Sequence, residues 1–302
     1  MSKVDIHRIV DEARFNGFHL RVLILCALII IFDGYDLAVV GIALPSIMKE
    51  LRVAPANAGL MVSSALIGMM LGAIVFGTVA DKVGRSWTIA ICVLLFSVFT
   101  SAAGLAHDPV TFSIVRFLAG VGIGGVMPNV VAQMTEYAPK RMRATLVTVM
   151  FCGYAVGGLI AAVLGKGYIA AYGWQSVFFA GAAPIVLIPV LFGLMPESLS
   201  FLLLEGKKDK LAAIISMLEP GYRPHPGDQF EAPSKNGADS ALIRQLFAEG
   251  RGFSTVMFWI AFFTCLFMVY ALSSWLAKLM ADAGYSLGSA LTFVLVLNAG
   301  AI

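Results

Sequence analysis

Charged residues are scarce in this chain. They make up 13% of its 302 residues, whereas 59% are hydrophobic, and the mean hydropathy is +0.88. A soluble domain carries about 25% charged residues, so this composition excludes an ordinary soluble protein and predicts one that crosses a membrane several times. The formal net charge is only +3, and we therefore expect no nucleic-acid partner.

Cysteine and histidine are also rare, with four of each. The cysteines are widely spaced within apolar runs, which is typical of small buried side chains rather than of disulfides or metal ligands. No two histidines have the spacing of metal ligands, and no nucleophile elbow or phosphate-binding loop is present. We expect no metal, no cofactor and no enzymatic activity.

Long apolar runs dominate the sequence instead. A membrane-spanning helix needs about 20 mostly apolar residues. We expect an all-α membrane protein with a six-span bundle at 1–195, a polar central loop at 196–251 that includes a short helix, and an incomplete second bundle at 252–302. The predicted spans are 20–44, 58–80, 86–106, 109–133, 142–170, 174–195, 252–281 and one that starts near 287.

The eighth span is still apolar at Ile302, the last residue. A span that stops inside a bilayer leaves backbone groups without partners. Unless this span is short, we expect the chain to be a fragment of a longer protein that would not transport by itself.

Positive charge is divided unequally between the two sides of the predicted bundle. Most lysines and arginines fall in the N-terminal segment, in the loops after spans two and four, and in the central loop. Because segments rich in these residues stay in the cytoplasm, we expect a cytoplasmic N-terminus and a cytoplasmic central loop. Two sets of spans joined in this way are typical of secondary transporters.

Two aspartates interrupt the first span. Asp33 and Asp36 are three residues apart and so lie on adjacent parts of one helix face. A carboxylate in the middle of a bilayer costs about 2.5–3.5 kcal/mol, and two such groups close together do not both ionise easily. We expect at least one to hold a proton near neutral pH, as a proton-coupling site would. The alternative is that both are neutral or hydrogen-bonded and attach span one to its neighbours.

The loop after span two reads GTVADKVGRS, from Gly77 to Ser86. Its glycines favour a tight turn and close helix approach. Its charged residues suit ion pairs that break and re-form as the cytoplasmic side opens and closes. The alternative is a solvated turn that only marks topology. The spacing resembles the signature loop of the major facilitator superfamily, although Ser86 stands where the family commonly has a second basic residue. The residues that carry the resemblance are Gly77, Asp81, Lys82, Gly84 and Arg85.

Span four and the segment after span six extend this resemblance. Arg116 is followed by four glycines within 120–125, which let neighbouring backbones approach closely, and Glu136, Pro139 and Arg143 are similar to the family's Glu-x-x-Pro-x-x-x-Arg cluster. The resemblance implies a twelve-span monomer, of which this chain holds about eight spans. It also implies a cytoplasmic gate in which Glu136 and Arg143 join Asp81 and Arg85.

The FDGYD of span one, at 32–36, narrows the family further. It resembles the Asp-Gly-x-Asp motif of the bacterial aromatic acid:proton symporter family, and the whole span looks most like its benzoate and 4-hydroxybenzoate transporters. The resemblance implies uptake of a small aromatic carboxylate with a proton, by alternating access across the inner membrane. It further implies that Asp33 and Asp36 couple the proton to transport.

Arg116 is the candidate cation inside the spans for a substrate carboxylate, because guanidinium pairs with carboxylate through two hydrogen bonds. The alternative is a structural pair between Arg116 and a group of span one or two. Weaker substrate-binding candidates, each equally suited to an interhelical hydrogen bond, are Tyr35, Asn129, Gln133 and Tyr154.

Two other functions remain open at this point. The same fold can carry another organic anion or a sugar acid, or export a drug. A membrane sensor that binds without transporting would use 196–251 as its output segment.

Overall fold

The computed structural model describes residues 3–219, 229–231, 247 and 250–301. Seven helical segments are long and apolar enough to cross a membrane, and an eighth, at Leu287–Ala299, is shorter. The all-α prediction is confirmed, and each predicted span coincides with one of these segments. In chain order the elements are β1 (Lys3–Asp5), α1 (Ile6–Glu12), α2 (Gly17–Glu50), α3 (Pro55–Val83), α4 (Arg85–Ala103), α5 (Pro109–Tyr137), α6 (Arg143–Tyr172), α7 (Gln175–Phe179), a 3₁₀ helix (Ala180–Val186), α8 (Leu187–Leu194), α9 (Leu199–Leu204), α10 (Lys208–Leu218), β2 (Gln229–Glu231), α11 (Gly252–Asp282) and α12 (Leu287–Ala299).

Side-chain caps mark the first residues of α2 and α5. Asn16 accepts hydrogen bonds from the backbone of Phe18 and His19 at the start of α2. Asp108 does the same for Val110 and Thr111 at the start of α5. These contacts satisfy amide groups that have no partner within the helix, and the hydrogen bonds from Thr111 lower the pKa of Asp108.

Small residues bring the first helices into backbone contact. The main pairs are α2 with α6 and α3 with α5, while α4 lies against α5 and the sixth span. A Cβ atom at Gly120 would lie 2.1 Å from the carbonyl oxygen of Ala65, and one at Gly124 would lie 2.0 Å from that of Met69. The predicted close approach at the glycines of span four is therefore confirmed, because no larger side chain fits between α3 and α5.

The sixth span is not a regular α-helix. It consists of α7, the 3₁₀ helix Ala180–Val186 and α8. Pro184 lies within the 3₁₀ segment. A proline lacks the amide hydrogen of an α-helical bond and clashes with the preceding turn, so the chain tightens locally into 3₁₀ geometry.

The segment after the sixth span contains more structure than expected. One short helix was expected at 196–251, and two form there, α9 and α10. Leu211, Ile215 and Leu218 of α10 are buried, and the amide of Asn16 donates to the carbonyl of Met217 at 2.9 Å. Strand β2 pairs in parallel with β1. The rest of the predicted central loop lies outside the described residues.

The bundle has two ends, which we name by residues. The Gly84 end holds the α3–α4 connection and the start of α2, and the Glu50 end holds the α2–α3 connection. Helix α11 reaches α2 only in its second half, where a Cβ at Gly41 would lie 2.1 Å from the carbonyl oxygen of Ser273. All residues of 256–269 are exposed. The two sets of spans therefore meet towards the Glu50 end and separate towards the Gly84 end.

Candidate functional site

A small cavity lies at the centre of the bundle, where the two sets of spans meet. Its volume is about 30 Å³, and its wall comes from α2, α3, α5, α6, α11 and α12. That is about the space of one water molecule, so the centre is closed in this conformation. A larger cleft of about 860 Å³ lies between α1 and the α5–α6 connection, away from the intramembrane charges.

Arg116 of α5 forms a buried ion pair with Asp36 of α2. Its Nη1 donates to Asp36 Oδ1 at 3.0 Å, and its Nη2 donates to Asp36 Oδ2 at 2.9 Å. Thr100 of α4 completes the group, since its hydroxyl donates to Asp36 and accepts from Arg116. Both charged side chains are at most 2% exposed. Arg116 also lines the cavity, and its Nε is buried without a hydrogen-bond partner among the described residues.

Asp33 lies one turn before Asp36 and has a different environment. Its side chain is 1% exposed. Within the described part of the chain, neither of its carboxylate oxygens has a hydrogen-bond partner. It interacts electrostatically with Tyr154 of α6 and Tyr270 of α11. Gly34 brings α6 against α2 here, because a Cβ at Gly34 would lie 2.2 Å from the carbonyl oxygen of Tyr154.

Three of the four weaker substrate-binding candidates make interhelical or intrahelical hydrogen bonds in this structure. The hydroxyl of Tyr35 donates to the carbonyl of Val177 at 2.6 Å. The amide of Asn129 donates to the carbonyls of Phe76 and Gly125. The amide of Gln133 donates to the carbonyl of Pro196 at 2.5 Å. These contacts are the alternative that the sequence left open, and none of the three residues lines the central cavity.

Two polar residues of the second set of spans line the cavity but were not singled out from the sequence. Tyr270 of α11 and Asn298 of α12 face it, together with Tyr154. The side chain of Asn298 lies against Gly158 of α6, where a Cβ would be 2.1 Å from its Oδ1. The available signal was the one that pointed to Tyr35 and Asn129, namely a polar residue inside an apolar span.

A second charged cluster lies at the Gly84 end. Arg85 pairs with Glu136, whose carboxylate also accepts from the hydroxyl of Ser198 at 3.0 Å and the amide of Ser200 at 2.9 Å. The carboxylate of Glu197 accepts from the first amides of α4, at Arg85 (2.6 Å) and Ser86 (3.1 Å). It acts there as a cap supplied by a distant segment. Glu197 and the two serines were not predicted individually, although their segment was recognised.

The other predicted gate residues lie around this cluster. Gly84 has φ of +101°, a conformation that suits glycine, whereas Gly77 has open space around it. Close helix approach at Gly77 is therefore wrong. Asp81 and Lys82 are exposed. Arg143 does not join Glu136 and instead pairs with Asp11 of α1 at 2.7 Å.

Removing the charge of Glu136 should loosen this cluster. We expect Glu136→Gln to lower the free energy of unfolding by about 1.5–3 kcal/mol, the range for hydrogen bonds to a charged group. Thermal unfolding of the purified protein measures the change. The matched control is Glu205→Gln, whose ion pair with Lys207 is about half exposed and should matter by less than about 1 kcal/mol. Equal losses in both variants would contradict the assignment.

Two sets of membrane-spanning helices that meet around a buried, charged centre are the architecture typical of secondary transporters. The chain belongs to the Major Facilitator Superfamily, because the sequence pattern of that family matches residues 26–302. Among the described residues, no cluster of three or more metal-ligating side chains exists.

Known proteins that are similar to this chain are transporters. The chain is 46% identical to the benzoate transport protein of Acinetobacter baylyi, over 99% of this chain and 65% of that protein. It is 35% identical to a 4-hydroxybenzoate transporter of the same organism, over 95% of this chain and 64% of that protein. The chain thus spans somewhat less than two thirds of the length of these relatives. A partially occluded, inward-open structure of the xylose transporter of E. coli is similar in fold, with a TM-score of 0.74 at 18% identity over 94% of this chain and 68% of that one.

Proposed function

We propose that the protein takes up a small aromatic carboxylate, such as benzoate or 4-hydroxybenzoate, together with a proton. The observation that carries the proposal is Arg116, a buried cation that lines the central cavity beside Tyr154 and Tyr270. A guanidinium suits a carboxylate, and aromatic walls suit a ring. The names of the two relatives described above point to the same class of substrate.

Transport would proceed by alternating access. The N-terminus and the Gly84 end would face the cytoplasm of a bacterial inner membrane, in agreement with the distribution of lysine and arginine. The conformation described here would then be closed on the outside, at Gly41 and Ser273, with the inner halves of the two sets apart. The cavity is too small for a ring, so loading requires α11 and α12 to move away from α2 and α6. Residues 1–195, 196–251 and 252–302 would act as first bundle, central loop and second bundle.

The pair Arg85–Glu136 would belong to the cytoplasmic gate. With Glu197 it holds α4, α5 and the segment after the sixth span together. Asp81 and Lys82 are exposed beside it, at positions where a second bundle could meet the first during closure. Arg143 would hold α1 to the start of α6.

Uptake of labelled benzoate and 4-hydroxybenzoate tests this function directly. We expect cells that express the full-length protein to accumulate label when the outside is acidic, and a protonophore to abolish the accumulation. If Arg116 binds the carboxylate and the tyrosines bind the ring, unlabelled benzoate should compete. Benzamide, which lacks the charge, should compete at least about tenfold less well, the equivalent of one lost charge-assisted hydrogen bond. Cyclohexanecarboxylate keeps the charge and lacks the aromatic ring, so it should also compete less well than benzoate, through loss of the aromatic contact.

The competitors also separate the alternatives. If cyclohexanecarboxylate competes as well as benzoate and benzamide does not compete, the protein would be a general organic-anion carrier. Binding of benzoate without uptake would indicate a sensor. Accumulation that survives the protonophore would refute proton coupling.

A further inference from the structure

The two aspartates of α2 are equally buried but differ in their partners. Asp36 receives three donors, from both terminal nitrogens of Arg116 and from the hydroxyl of Thr100. Asp33 receives none within the described part of the chain, although both of its carboxylate oxygens are buried. The sequence, in which they are two members of one Asp-Gly-Tyr-Asp motif, treats them alike.

Asp36 is the counterion of a buried arginine. Arg116 remains charged at any physiological pH. A neutral Asp36 would leave that cation buried without a counterion, which is strongly unfavourable. The two-fold guanidinium contact is the geometry that best stabilises a carboxylate. Asp36 also fixes the direction of the guanidinium plane of Arg116, a residue that lines the cavity and whose Nε has no hydrogen-bond partner among the described residues.

Asp33 has no such partner among the described residues, and its burial favours the neutral form. An ionised carboxylate that is removed from water and receives no hydrogen bond is strongly destabilised. The titratable groups around it give no relief: Asp36 is negative, Tyr154 and Tyr270 are neutral phenols, and the charge of Arg116 is already balanced by Asp36. Opening of the contact between α2, α6 and α11 would admit water to Asp33 and allow it to ionise.

We infer that the two aspartates have separate roles: Asp33 alone carries the transported proton, and Asp36 is a positioning residue that holds Arg116 for the substrate carboxylate. The inference rests on the proposed function and refines it. A proton from one side binds a carboxylate oxygen of Asp33, the helices close over the neutral group, and the same proton leaves to water on the other side. Because one carboxylate titrates, one proton moves with each aromatic anion.

Infrared spectroscopy of the purified full-length protein locates the proton without reference to transport. We expect the unmodified protein at neutral pH to show the carbonyl band of a protonated carboxyl group, and Asp33→Asn to lose it. The matched control, Asp282→Asn, removes an exposed carboxylate of α11 and should leave the band unchanged. A band that persists in Asp33→Asn, or the lack of any such band in the unmodified protein, would overturn the inference.

Transport in proteoliposomes then separates coupling from substrate binding. A gradient of one pH unit supports about tenfold accumulation when one proton moves with each anion. The ratio of gradient-driven accumulation to gradient-free exchange of labelled benzoate should fall about tenfold in Asp33→Asn, and Asp33→Glu should restore it, because the glutamate can again bind a proton. An unchanged ratio in Asp33→Asn would refute the role of Asp33. If the unmodified protein moves neither benzoate nor 4-hydroxybenzoate, the proposed function fails, and the infrared result by itself decides where the proton lies.

Discussion

Asp36→Asn is expected to lower the free energy of unfolding by about 3–5 kcal/mol, the cost of removing one partner from a buried ion pair. The asparagine leaves Arg116 buried at 1% exposure without a counterion, and arginine cannot lose its proton to relieve the strain. Arg116→Leu should cost less, because the Asp36 that remains can become neutral by taking up a proton. Thermal unfolding of the purified variants in detergent, followed by tryptophan fluorescence, measures both changes.

The double variant Asp36→Asn with Arg116→Leu is the decisive control for this pair. It removes both charges, so most of the stability lost in Asp36→Asn should return, since a buried ion pair can be replaced by neutral groups at little cost. Transport should not return, because the cation proposed to bind the substrate is absent. A double variant as unstable as Asp36→Asn, or a single variant as stable as the unmodified protein, would show that the ion pair does not hold α2 and α5 together.

Gly41→Leu is expected to prevent closure at the Glu50 end and to reduce uptake of the labelled acid by about tenfold or more. A Cβ at this position would lie 2.1 Å from the carbonyl oxygen of Ser273 and 2.8 Å from the Cα of Ser274, so the obstruction is backbone, which cannot move aside as a side chain can. Overpacking costs about 1–3 kcal/mol, and a bias of that size shifts a two-state equilibrium by roughly 5–150-fold.

Thiol labelling distinguishes this block from simple loss of folding. Val62 lines the cavity, so Val62→Cys in a cysteine-free background should become more reactive towards a membrane-impermeant reagent added outside when Gly41→Leu is also present. Gly167→Leu is the matched control, because Gly167 lies on α6 with open space around it, and it should change neither uptake nor labelling. Normal uptake by Gly41→Leu would refute the contact as a gate.

Much of the fold follows from the sequence by simple physical rules. The spans could be placed because a helix that crosses a bilayer requires about 20 consecutive apolar residues. Such a stretch can be recognised without knowing what the helix packs against. The glycines of span four predicted backbone contact, which α3 and α5 make at Gly120 and Gly124. The tightening at Pro184 and one of the two helices α9 and α10 were missed, because short helices depend on what they pack against more than on their own composition.

The candidate site was only partly accessible to sequence reasoning. The intramembrane charges Asp33, Asp36 and Arg116 stand out because charge in an apolar run is costly. The pairing of Asp36 with Arg116 cannot be read from the sequence. The two residues are 80 positions apart and meet only because α2 and α5 pack together at that level. The sequence by itself therefore determined which residues need a partner or a function, because each of these charges is costly inside a membrane when it is unpaired. The tertiary structure decided which of them is paired and which has no hydrogen-bond partner in the described part of the chain, because hydrogen bonds and ion pairs depend on ångström-scale distances that helix packing sets.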